Sequence, residues 1–114
     1  MAITVAARKA KGRNLQNYVG AKLAEKYGLE FGKDEDLQGR EMGQSGTDIR
    51  MSKDAKRVIP FDIECKNQER LNFWEAIEQA EKNTEEGRIP LLVFKRNRSK
   101  TYAIIEFETL LKII

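Results

Sequence analysis

Pro60-Phe61-Asp62-Ile63-Glu64-Cys65-Lys66 is the stretch on which the reading of this chain turns. Successive side chains of a β-strand point to opposite faces, so Phe61, Ile63 and Cys65 share one face and Asp62, Glu64 and Lys66 the other. The first face belongs on a core; the second sets two carboxylates and an ammonium in a row. Upstream, Thr47 to Ser52 alternates in the same way, with Asp48, Arg50 and Ser52 on one side. An antiparallel hairpin through the polar turn Lys53 to Arg57, in the register that pairs residue 48 with residue 64, brings Asp48 directly opposite Glu64. A slip of one residue reverses the faces, so the pairing is an assumption of this reading.

Carboxylates so opposed have Cβ atoms about 4.5–5.5 Å apart. They repel unless a cation lies between them. A hard divalent ion such as Mg²⁺ or Mn²⁺ takes one or two carboxylates together with waters and phosphate oxygens, and it activates water for attack on a phosphodiester. Lys66, two residues beyond Glu64 on the same face, can hold that water or stabilise the negative charge of the transition state. Asp48, Glu64 and Lys66 are therefore the candidate groups for metal-assisted phosphodiester hydrolysis. Asp62 shares their face and is kept in reserve.

Composition points the same way. A chain of 114 residues, 40% hydrophobic and 34% charged, suits one globular domain, here a nuclease unit over 1–114 with a basic arm at 1–13. No apolar run approaches the ~20 residues of a membrane span. The basic N-terminal residues are followed by no hydrophobic stretch, so no secretory signal is read and an intracellular location is expected. One cysteine and no histidine exclude an internal disulfide, a histidine-bearing zinc cluster and a serine-histidine or cysteine-histidine centre. Catalysis must then run on carboxylates, lysine and a hard metal. Two basic blocks, Arg8, Lys9, Lys11, Arg13 and Lys95, Arg96, Arg98, Lys100, are what a nucleic-acid backbone attracts.

Leu15, Val19, Leu23 and Tyr27 recur at helical spacing and predict a helix over 14–27, capped by Asn14 and stopped by Gly28. The polar run Glu30 to Gly39 reads as a surface loop. Strands are expected over 47–52 and 59–66, then a helix over 71–83 whose apolar side, Phe73, Trp74, Ile77 and Ala80, packs on the core. A hairpin of strands 90–95 and 101–107 turns at the basic residues 96–100, and a short helix over 108–114 closes the chain. That order implies an α/β fold, a mixed sheet flanked by helices.

An Asp at the start of one strand followed by Glu-x-Lys on the next, Asp48 and Glu64-Cys65-Lys66, resembles the PD-(D/E)xK nuclease superfamily. The resemblance implies a restriction-endonuclease-like core of helix, three-stranded meander, helix and strand. Lys11-Gly12 before the first helix and Gly43-Gln44-Ser45-Gly46-Thr47-Asp48 look most like the small Holliday-junction resolvases and related short phage nucleases. It further implies that the Cys65 carbonyl is a main-chain metal ligand, that Gln79 on the following helix reaches into the site, and that Ser45 joins the DNA contacts. Junction resolvases carry a glutamate in the first helix where this chain has Gln16 and Asn17. Gln16 then positions water and phosphate, or one-metal chemistry operates. A junction has two scissile phosphates, so a homodimer is expected, built on the Leu110, Leu111, Ile113, Ile114 run or on the Phe73-Trp74 helix. Rival readings are a structure-directed or nicking DNA nuclease and a catalytically silent DNA-binding module.

Overall fold

In a computed structural model, which describes residues 3–41 and 45–114, the alternating stretch forms the strand β3, Phe61–Asn67. A first helix, α1, Val5–Tyr27, covers one face of it. Before β3 come two short strands, β1, Leu37–Gly39, and β2, Ile49–Met51, and a helix, α2, Lys53–Val58. After it come α3, Phe73–Asn83, then β4, Ile89–Lys95, β5, Tyr102–Ile104, and α4, Phe107–Ile113. The α/β class with a mixed sheet is as expected: β3 and β4 run parallel with Glu64 beside Leu92, and β4 pairs antiparallel with β5.

The strands expected over 47–52 and 101–107 are shorter, Ile49–Met51 and Tyr102–Ile104, and three further departures from the sequence reading each have a physical reason. Helix α1 begins at Val5, not at residue 14, with Thr4 as its cap, accepting a bond from the Ala7 amide at 3.1 Å. Residues 5–14 have no buried apolar stripe to betray a helix, but Ala, Lys and Arg there are strong helix formers. The basic arm is thus largely helical. The run from Glu30 to Gly39 is not all surface loop: its end forms β1, and Leu37 is wholly buried. The polar turn Lys53 to Arg57 is the helix α2, capped by Ser52, whose hydroxyl accepts from the Ala55 amide and donates to Asp36.

The hairpin assumed between β2 and β3 does not form. Strand β2 pairs with β1, Gln38 opposite Arg50. It meets β3 instead through Asp48: the Asp48 amide donates to the Ile63 carbonyl at 3.0 Å, and the Asp48 carboxylate accepts from the Cys65 amide at 2.6 Å. The core lies between α1 and the strands, where Leu15, Val19, Leu37, Ile49, Ile63 and Cys65 pack together. Gly20 permits that approach, since a Cβ there would lie 2.3 Å from the Phe31 ring. Trp74, expected in the core, is 78% exposed, because α3 buries only Ala76 and Ala80.

Candidate active site

Alternation along β3 divides its side chains as the sequence predicts. Ile63 and Cys65 enter the core under α1, while Asp62 and Glu64 turn toward α3 and the chain just beyond its C-terminal end. That second face is not wet: Asp62 and Glu64 are each only 4% exposed.

The two buried carboxylates have different fates. Asp62 is paired with Arg88 at 2.7 Å and also accepts from the Glu85 amide at 2.9 Å. It is a fully occupied structural group. Glu64 accepts from the Asn83 amide at 3.4 Å and has the Lys66 ammonium at 3.9 Å. It lies beside Asp48, close enough for the two carboxyls to share a hydrogen bond. Burial, then the Asp48 charge, pushes the Glu64 carboxyl up to about 7. Burial likewise raises Asp48, against the lowering influence of the Cys65 amide, Lys66 and Arg40. Two carboxylates held out of water and next to one another are costly as anions unless a cation joins them.

Among the described residues no three or more Asp, Glu, His and Cys side chains are placed together so as to hold a metal ion. The donors that fit a divalent ion are Asp48 and Glu64, with a main-chain oxygen. In an extended strand the N–H and C=O of one residue point the same way. Since the Cys65 amide faces Asp48, its carbonyl does too. The Cys65 thiol is buried, and burial with the neighbouring carboxylates raises it far above its ordinary range, so it is no nucleophile.

The structure places the remaining candidates unequally. Gln79 is exposed and lines a small pocket of about 140 Å³ with Lys66, Gln68 and Asn72. It therefore stands by Lys66, whereas the contact with Glu64 belongs to Asn83, one turn further along α3. Asn83 could have been found in the sequence as the i+4 neighbour of Gln79. Gln16 is buried against β1: a Cβ on Gly39 would lie 3.4 Å from its Oε1, and Gly39 is the register partner of Ile49, next to Asp48. Arg40, which the sequence did not mark, donates its Nε to the Thr47 carbonyl, and its charge favours ionised Asp48. Ser45 is exposed; Gly43 and Gln44 of the glycine approach lie outside the described residues.

The basic blocks approach each other. Asn67, at the end of β3, donates to the Lys11 carbonyl at 3.4 Å and ties the first half of α1 to the strand that carries Lys66. A groove of about 550 Å³ runs between α1 and the β4–β5 turn, with Lys95 and Lys100 in its wall. Arg8, Lys9 and Arg13 are exposed on α1, and Arg96 and Arg98 at the turn.

Residues 7–114 match the family model described as "Phage putative PDDEXK endonuclease". The chain belongs to this phage endonuclease family. No curated protein and no solved structure matches it. Family membership makes it a metal-dependent nuclease with DNA as its substrate, and the match covers all of β3 and Asp48. Among the described residues no helix is long and apolar enough to cross a membrane.

Proposed function

We propose that the chain hydrolyses DNA phosphodiesters with Mg²⁺ or Mn²⁺ held by Asp48, Glu64 and the Cys65 carbonyl, that its preferred substrate is branched DNA such as a Holliday junction, and that it works as a two-fold dimer. The observation that carries the chemistry is the adjoining pair of carboxyls, Glu64 buried and Asp48 half-buried, both displaced toward protonation, with the Lys66 ammonium 3.9 Å from Glu64. A divalent ion bound there supplies Lewis-acid polarisation of a phosphate oxygen and an acidified water. Lys66 orients the attacking water and offsets the negative charge of the transition state. Asn83 fixes Glu64, and the Cys65 amide fixes Asp48, so both carboxylates would be held in place to take the ion. Gln79, beside Lys66, assists in holding water, and Gln16 stands on the α1 side of Asp48.

Branched DNA is supported by the resemblance of the Lys11-Gly12 and glycine-turn segments to junction resolvases. The dimer is supported by apolar surface left open at Trp74, Phe107, Leu111 and Ile114. Labelled four-way junction and linear duplex, each incubated with Mg²⁺ and with EDTA, test the reading. Paired nicks in the junction alone, with Mg²⁺ alone, are expected. Equal nicking of linear duplex by a monomer in light scattering would replace the resolvase with a general nicking nuclease. Absence of cleavage with every divalent ion, despite binding, would leave a silent DNA-binding module.

A further inference from the structure

We infer that the groove between α1 and the β4–β5 turn is a pocket for one unpaired nucleobase, with Tyr18 as its stacking platform. The inference rests on the nuclease reading for its ligand class and deepens it: a DNA-cutting enzyme that favours branched or distorted DNA needs a place for a base that has left the stack.

Four observations converge on this groove. Its volume, about 550 Å³, falls within the range of sites that enclose a small organic ligand. Its wall combines the types of group a nucleotide requires: the Tyr18 ring, the amides of Asn14 and Asn67, the hydroxyls of Ser99 and Thr101, and the ammonium groups of Lys95 and Lys100. Tyr18 is 52% exposed although α1 offers the core a buried face one residue further on, at Val19. The Lys22 ammonium lies over its ring, 5.9 Å from the centroid.

Asn67 supplies the fourth observation. Its Nδ2 has the long bond to Lys11, and its Oδ1 is buried with no partner among the described residues. A buried acceptor left unpaired is unfavourable and is seldom tolerated without a reason. Asn67 is among the residues lining the groove, so its amide is the nearest polar group for the edge of a bound base to pair with. Asn67 follows Lys66 in β3 but, by the alternation of the strand, faces α1 as Cys65 does, so a base held here lies on the face of the sheet opposite the Lys66 side chain. Lys95, paired with Asn67 across the sheet, and Lys100 take the phosphate of its nucleotide. Stacking on an aromatic ring is tolerant of base identity, so the pocket selects an unpaired base and not a sequence.

The test is fluorescence anisotropy with two labelled duplexes, one fully matched and one carrying a single unpaired adenosine, in EDTA so that binding is separated from cutting. The wild-type chain is expected to bind the bulged duplex about tenfold more tightly, the affinity that one base stacked on an aromatic side chain is worth. Tyr18→Ala removes that preference and leaves matched-duplex affinity unchanged, while Tyr18→Phe keeps it. Asn67→Ala, checked for native melting, reduces it. Equal wild-type affinity for the two duplexes, or a Tyr18→Ala loss shared equally by both, would overturn the base pocket. Nicking of both duplexes by the wild-type chain in Mg²⁺ is measured alongside. Cleavage without bulge preference sinks the pocket alone; absence of metal-dependent cleavage sinks the nuclease reading instead.

Discussion

Replacing Arg88 by methionine should unfold this protein far more readily than removing a cation from its surface. The guanidinium is 11% exposed and engages five groups: Asp62 Oδ1 at 2.7 Å, the Ile59 and Phe61 carbonyls at 2.8 Å each, the Lys56 carbonyl at 3.2 Å and the Met51 sulfur at 3.6 Å. It thereby ties β2, α2, β3 and the start of β4 together. Methionine fills much of the volume and supplies none of the donors. Asp62 is then a buried carboxylate with only the Glu85 amide, and breaking a buried pair from one side costs about 3–5 kcal/mol. Against a total stability of about 5–15 kcal/mol this is a large share. At about 4 °C per kcal/mol for a chain of this size, melting should fall by roughly 12–20 °C. Arg88→Met combined with Asp62→Asn should recover part of that loss, because no uncompensated charge remains buried. Circular-dichroism melts with urea titrations provide the measurement. If Arg88→Met melted within about 2 °C of wild type, as a surface change does, the structural role given to the Asp62–Arg88 pair would be wrong. A folded, undiminished Asp62→Asn that no longer cuts DNA would return Asp62 to the reacting groups.

Three further outcomes are expected. Because Glu64 is raised from 4.5 to about 7, the folded chain holds a proton there that the unfolded chain has lost, so metal-free stability falls as pH rises through that window. Glu64→Gln should melt higher than wild type at about pH 8 in EDTA and lose its advantage near pH 5; the same offset at both values would refute the shift. Lys66→Met should abolish cleavage, or lower it at least a hundredfold, while leaving junction affinity and melting almost unchanged, and single-turnover rates under saturating protein will show whether it does. Arg96→Ala with Arg98→Ala should flatten the plot of log affinity against log salt by about 0.9 for each phosphate these arginines neutralise, equally for all duplexes; an unchanged slope would clear the β4–β5 turn of any role at the DNA backbone.

The parts of the site legible in the sequence were those carried by a single element. Glu64, Lys66 and the inward Cys65 follow from period-two alternation, which is a property of one strand and needs no partner. Asp48 was identified correctly as their neighbour but for a hairpin that the chain does not make, because the α2 residues favour a capped turn of helix and β1 claims β2. Asp62 looked like a third acid since Arg88, its partner, lies 26 residues away and no local pattern joins the two. The helical start of α1 was missed for the opposite reason. It is specified by propensity without amphipathic periodicity, and it projects beyond the core it would otherwise have revealed.

The join between β2 and β3 runs through a residue of the candidate site itself. Glu64, Lys66, Gln79 and Asn83 all belong to one continuous strand-helix-strand segment, β3 to β4, that can assemble from neighbours in sequence. Asp48 comes from the preceding half, and it is also the residue whose amide and carboxylate clasp that half to β3. The group that completes the ion-binding pair is thus the latch of the fold. With the latch undone, Glu64 would stand without its neighbouring carboxylate. On the proposed reading, opening of this clasp and loss of ion binding are one event, since the same Asp48 side chain serves both.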